Sequence, residues 1–208
     1  KNGPTGEVAV LKGIAIKVGP NEDNTLVFDS ETMRMVAGFK GNVTLAGTPW
    51  DGKHGGNSYF PEEASAYFFQ TEMGPGWAID GDWSDPREKD NDRPNGPLPD
   101  ERAEYLGLYR NTEGIVLSYT VGGSKVLEKP GMLGDNLLRT IQLEKAAKPT
   151  EVLVSDPTEA QKNVSLLNAP KGVELKTLES GRRVVSIPAG IEGQFHIVYW
   201  NGEPAETK

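Results

Sequence analysis

Tryptophan, histidine and acidic residues concentrate between residues 48 and 104. This segment holds three of the four tryptophans and one of the two histidines. An indole face can stack on the apolar C–H face of a pyranose while nearby carboxylates accept hydrogen bonds from the sugar hydroxyls. The alternative is that each tryptophan anchors its loop to the core, since tryptophan is largely buried in most proteins. The candidate carbohydrate-binding residues are Trp50, Asp51, His54, Trp77, Trp83 and Arg87.

The string DGDWSD places three carboxylates within six residues, at Asp80, Asp82 and Asp85. Gly81 permits a sharp turn between the first two. Hard oxygen ligands at such spacing can surround Ca²⁺, which accepts a flexible geometry. The string lacks the regular spacing and the terminal glutamate of an EF-hand loop, so a solvated acidic loop is the alternative to a calcium site.

The charge distribution excludes one class of partner. Residues 48–104 carry 5 basic and 13 acidic side chains, which equals the whole net charge of −8. Nucleic-acid phosphates require a basic surface, so we expect no nucleic-acid partner. No apolar run approaches the roughly 20 residues needed to span a bilayer, so we expect no membrane insertion.

Catalytic motifs are few in this chain. Paired carboxylates can hydrolyse glycosides, and Glu62, Glu63, Glu72, Asp80 and Asp82 are candidates, but the sequence gives no separation between any two of them. The chain has no nucleophile elbow, no phosphate-binding loop and no cysteine. His196 lies in an alternating stretch that predicts a structural position on a sheet. A zinc site is not expected from two histidines so far apart.

The elements that must position these residues are predicted to be strands. The chain has 25 glycines and 15 prolines, and short alternating apolar runs are separated by turn signals such as Gly122-Gly123. We therefore predict one all-β domain over residues 1–208, an antiparallel β-sandwich of jelly-roll or supersandwich-like type. Residues 48–104 are predicted to be a loop-rich insertion with at most one good strand, Ala66 to Gln70. Arg34 lies in an apolar strand and is expected to pair with Asp29 or Glu31.

Several strings in the first two thirds of the chain resemble a known family. KGIAIKVG, LVFDSETMRMVAGFKGNVTLAGTPWDGKHG, GPGWAIDGDWSDPR, GPLPDERAEYLGLY and VLSYTVGGSKVLEKPG are similar to a bacterial domain of unknown function. That domain occurs in large, exported, multidomain proteins of planctomycetes and their relatives, often beside c-type cytochrome domains. The resemblance implies a module from a larger exported protein, with neighbouring domains as partners and without an established catalytic residue. This segment has no Cys-x-x-Cys-His, so it attaches no haem covalently.

Three functional hypotheses follow from the residues and the resemblance. The first is a non-catalytic module that binds a polysaccharide or oligosaccharide through the tryptophan-bearing acidic loops, with Ca²⁺ shaping them. The second is a sugar-active enzyme, either a glycoside hydrolase or a mutarotase-like protein. The third is a structural scaffold between cytochrome domains.

Overall fold

The computed structural model describes residues 10–46, 57–90, 93–157 and 163–202; the side chains of residues 45, 46, 57–59, 90 and 93 are not described. These ranges hold eighteen strands and one short 3-10 helix, Ala64–Ala66. In chain order the strands are β1 (Gly13–Val18), β2 (Asn24–Asp29), β3 (Arg34–Lys40), β4 (Thr44–Ala46), β5 (Asn57–Tyr59), β6 (Tyr67–Gln70), β7 (Trp77–Ile79), β8 (Lys89–Asp90), β9 (Arg93–Pro94), β10 (Ala103–Asn111), β11 (Gly114–Val121), β12 (Ser124–Leu133), β13 (Asn136–Leu143), β14 (Thr150–Ser155), β15 (Val164–Leu167), β16 (Glu174–Thr177), β17 (Arg183–Ile187) and β18 (Gly193–Tyr199).

The strands form three main antiparallel sheets. One has six strands in the order β10-β11-β12-β13-β18-β15, and two have four, in the orders β1-β2-β3-β6 and β16-β17-β14-β7. Two small hairpins, β4-β5 and β8-β9, complete the described pairings. The predicted turn at Gly122-Gly123 joins β11 to β12 with φ values of 55° and 80°, as a primed hairpin turn requires.

The main core lies between the six-stranded sheet and the two four-stranded sheets. Phe28 of β2 and Tyr119 of β11 bring their rings to 5.5 Å, and Phe69 of β6 stacks on Tyr199 of β18 at 4.2 Å. The two four-stranded sheets meet where the Asp156 N–H donates to the Gln70 carbonyl at 3.0 Å. The predicted antiparallel sandwich is therefore confirmed.

The middle segment contains more strand than the sequence predicts. β6 lies where a strand is expected, but β5, β7, β8 and β9 also fall within residues 48–104, so the prediction of at most one strand was wrong. β7 adds to a sheet through the pairing of Trp77 with Val152. Strands of two or three residues are too short for side-chain alternation to reveal them.

Two buried arginines sit inside the sandwich. Arg34 has no exposed surface; its guanidinium lies 3.7 Å from Asp29 and donates to the Thr71 carbonyl at 2.8 Å, which confirms the expected pairing with Asp29. Burial lowers the pKa of Arg34 to about 10, although the charges of Asp29 and Asp156 raise it. Arg139 is also fully buried, and it pairs with Glu128 at 2.6 Å.

Candidate functional site

A tight turn after β7 positions the acidic string. Asp80 and Gly81 have φ values of 54° and 77°, and the Asp82 N–H donates to the Ile79 carbonyl at 3.0 Å. Positive φ at both central residues defines a two-residue primed turn, for which Asp-Gly is a favoured pair. The chain therefore reverses at Asp80-Gly81 and carries Trp83 back toward β14.

Trp83 is half-buried on the outer face of the sheet that contains β14. Its Nε1–H donates to Oε2 of Glu151 at 3.1 Å. Val152 and Val154 of β14 belong to the core, and because side chains alternate along a strand, Glu151 points away from it. The other carboxylate oxygen, Oε1, has no hydrogen-bond partner among the described residues. The indole is thus held at one edge while part of it remains accessible.

Asp82 and Arg102 lie next to Trp83. Arg102 donates to the Asp82 carboxylate at 2.7 Å and to the Asp82 carbonyl at 2.9 Å. Hydrogen bonds from Ser84, together with Arg102, lower the pKa of Asp82, so its carboxyl is ionised near neutral pH. We call Trp83, Glu151, Asp82 and Arg102 the Trp83 surface.

The three predicted calcium ligands each have their own basic partner. Asp80 pairs with Lys148 at 3.3 Å, Asp82 with Arg102, and Asp85 with Arg87. Within the described ranges, no three acidic or histidine side chains are grouped so that they could hold a metal ion. A calcium ion bound by this set would have to compete with three ion pairs.

Arg87 holds its own loop together. It donates to both oxygens of Asp85, at 2.9 and 2.7 Å, and to the Gly96 carbonyl at 3.1 Å. Burial raises the pKa of Asp85, but the hydrogen bonds and charge of Arg87 outweigh it, so the net pKa lies below the ordinary value. Arg87 is only 9% exposed, which leaves little of it for a ligand.

Trp77, another predicted site residue, does not join the Trp83 surface. Trp77 is 3% exposed and packs in the core at 6.2 Å from the Tyr119 ring, so its indole face is not accessible to a sugar. Trp77 therefore anchors its part of the chain to the core, which is the alternative role given above for each tryptophan. Trp50, Asp51 and His54 lie outside the described residues. His196 takes the structural position expected on a sheet, where its Nδ1 lies 3.0 Å from the Thr140 hydroxyl.

Sequence reasoning missed Glu151 and Arg102. Glu151 lies 68 residues from Trp83 and in a different strand, so no local pattern connects them. The Asp80-Gly81 pair is a local signal that predicts a hairpin after β7. It places Trp83 beside β14 only once β7 is known to pair with β14, and no local pattern predicts that pairing.

Part of the chain matches a protein-family model. Residues 26–128 match the family model "Domain of unknown function (DUF6797)". The matched region runs from β2 into β12 and includes Trp83, Asp82 and Arg102, whereas Glu151 lies beyond it. No match was found among curated proteins or among solved structures. Among the described residues, no helix has the length and apolar character to cross a membrane.

Proposed function

We propose that this chain is a non-catalytic carbohydrate-binding module and that the Trp83 surface is its binding site. The observation that carries the proposal is the half-buried indole of Trp83, fixed by its hydrogen bond to Glu151 on a rigid sheet. An aromatic ring that is already oriented loses little conformational entropy when a ligand stacks on it, which favours binding.

The groups around the indole suit a neutral, polyhydroxylated ligand. The free Oε1 of Glu151 is an acceptor for a sugar hydroxyl, and the Asp82–Arg102 pair offers acceptors and donors on a neighbouring part of the surface. Carboxylates and a guanidinium held in place by ion pairs are the polar groups that fix a ligand's orientation over an apolar ring. The ligand class is therefore a pyranose of an oligosaccharide or polysaccharide.

Two acids of the DGDWSD string, Asp82 and Asp85, are not suited to glycoside hydrolysis. A hydrolase needs one carboxyl group that stays protonated near neutral pH so that it can act as the general acid. Asp82 and Asp85 both have pKa values below the ordinary value, each stabilised as a carboxylate by an arginine. Neither is suited to donate a proton to a leaving group.

We also propose an exported setting, as one module of a longer protein with neighbouring cytochrome domains. The family match supports the classification of residues 26–128 as a domain of unknown function. The resemblance to the planctomycete domain supports the exported setting beside cytochrome domains. Fractionation of cells that produce the parent protein tests the location: we expect the protein in the periplasm or at the cell surface.

A glycan array followed by affinity measurements tests the binding proposal. We expect at least one binder among plant, algal and bacterial glycans, and Trp83→Ala is expected to weaken binding at least tenfold, about 1.4 kcal/mol, through loss of the stacking surface. Glu151→Ala should also weaken it, because the indole loses its orienting partner.

Trp200→Ala is the matched control. Trp200 is also half-buried and also anchored through Nε1, to the Ser165 hydroxyl at 2.9 Å, but it follows β18 of the six-stranded sheet. Its loss should leave glycan affinity unchanged. Absence of any glycan binder, or equal effects of the two tryptophan substitutions in folded proteins, would contradict the proposal.

Calcium binding by Asp80, Asp82 and Asp85 stays a prediction. The melting temperature with calcium, compared with that in a chelator, checks it, because a ligand that binds only the folded state raises the melting temperature. A rise that disappears in Asp82→Asn supports the site, whereas equal melting temperatures and an unchanged native mass contradict it.

A further inference from the structure

β10 is an exposed edge of the six-stranded sheet. It has nine residues and pairs with β11 on one side, with no strand on its other side in the described part of the chain. Three large apolar side chains along it are exposed: Leu106 by 49%, Leu108 by 43% and Tyr109 by 60%. The strand contains neither lysine nor proline, two residues with which proteins commonly protect an open edge.

A bulge divides β10 into two halves. The register with β11 shifts between Tyr105 and Gly107, and from Gly107 to Asn111 the pairing is continuous. Gly107 faces open space, since a side-chain carbon placed there would meet no atom within 4 Å. The regular half is therefore a short edge whose outer backbone groups have no partner strand in the described part of the chain.

We propose that two copies of this chain pair through the regular halves of their β10 strands, antiparallel about a twofold axis at Leu108. In this register Leu108 lies opposite Leu108 of the second copy. Gly107 lies opposite Tyr109 of the second copy, and the same contact occurs again on the other side of the axis. The two six-stranded sheets then become one continuous sheet.

Side-chain contacts favour this register. Opposed leucines at the axis remove two exposed apolar side chains from water. The exposed ring of each Tyr109 covers the bare backbone at the other copy's Gly107, as aromatic residues do for edge glycines in sheets.

The symmetric register centred on Gly107 is ruled out by the faces of the sheet. The string YLGLY is a palindrome about Gly107 and invites pairing there, with Tyr105 opposite Tyr109. Directly opposed residues must lie on the same face of the sheet. Tyr105 pairs with the core residue Tyr119, whereas Tyr109 pairs with Val116, one residue from the core residue Leu117 and thus on the other face.

Single-cysteine crosslinking tests the register, and the chain has no cysteine of its own to interfere. Under mild oxidation, Leu108→Cys should form a disulfide-linked dimer with itself, because opposed residues bring their Cβ atoms within disulfide reach. Leu133→Cys is the matched control: Leu133 is 44% exposed but lies at the end of β12. It should form little disulfide-linked dimer.

Sedimentation over a wide range of protein concentration tests the dimer itself. The wild-type chain is expected to show a concentration-dependent dimer, and both Leu108→Lys and Tyr109→Lys should weaken the dimer at least tenfold. At a concentration where the wild type is monomeric, both variants should keep the wild-type melting temperature. A chain that is monomeric at every concentration overturns the proposal. So does a dimer that persists in both lysine variants, or one in which Leu108→Cys crosslinks no better than Leu133→Cys.

Discussion

Glu128 and Arg139 form an ion pair that the sandwich encloses completely. Arg139 also donates to the Leu153 carbonyl at 3.0 Å, and Tyr119 donates to the second oxygen of Glu128 at 2.7 Å. Burial lowers the pKa of Arg139, but the charge of Glu128 outweighs it and raises the net value. Each buried charge therefore depends on the other for its stabilisation.

Removing one partner should cost far more than neutralising both. We expect Arg139→Met to lower the free energy of unfolding by about 3–5 kcal/mol, since it leaves a buried carboxylate without its cation. The double variant Arg139→Met with Glu128→Gln should recover part of that loss, because glutamine still offers Tyr119 an acceptor. Urea unfolding measures both; a single variant within about 1 kcal/mol of wild type would contradict the expectation.

Asp85 should make stability depend on pH in the acidic range. Its folded-state pKa is lowered, so its contribution is present above the unfolded pKa of about 3.9 and is lost as the pH falls through the folded value. We expect the unfolding free energy of the wild-type protein to fall more steeply from about pH 5 downward than that of Asp85→Asn. Urea unfolding at a series of pH values checks this. If the free energies of unfolding of the two proteins fall in parallel, the Asp85–Arg87 ion pair contributes nothing to stability.

Among the elements, those with local signals were predictable and those built by distant pairing were not. Gly122-Gly123 predicts its hairpin because glycine takes positive φ without steric cost. The sandwich class follows from repeated short alternating runs. β7 was missed because its three residues become a strand only by pairing with β14, which lies 71 or more residues further along the chain. Glu151 was missed as a partner of Trp83 for the same reason.

Gly76 shows how closely β7 must approach the β2–β3 hairpin. A side-chain carbon at Gly76 would lie 2.2 Å from the Met33 carbonyl oxygen and 2.5 Å from the Arg34 Cα. Both atoms are backbone, so neither can rotate away. Only glycine permits this contact, which sets the start of β7 and hence the position of the Asp80-Gly81 turn.

We expect Gly76→Ala to lower the free energy of unfolding by roughly 2 kcal/mol or more, through forced displacement of the hairpin backbone. Gly131→Ala is the control, because Gly131 lies in β12 with no atom within 4 Å of an added carbon and without a positive φ. That change should stay within about 0.5 kcal/mol of wild type. Thermal or urea unfolding of the pair measures the difference; equal stabilities would mean that the contact is loose.

For the whole molecule, the core joins strands that are far apart in the sequence. Phe69 of β6 stacks on Tyr199 of β18, and Tyr199 in turn donates to the Val154 carbonyl of β14 at 2.9 Å. The first and last thirds of the chain therefore meet at one place in the core. Such non-local pairing is the part of a fold that local sequence patterns describe least.

The enclosed ion pair bears on where this domain ends. The family match stops at residue 128, in the middle of β12, and the cation that neutralises Glu128 lies eleven residues further on. A fragment of residues 26–128 would expose the inner face of its sheet and leave that carboxylate without its counter-ion.

We expect circular dichroism and proton NMR to show this fragment unfolded or aggregated, while residues 10–202 fold cooperatively. We therefore expect gene fragments designed on the matched stretch alone to give no folded protein.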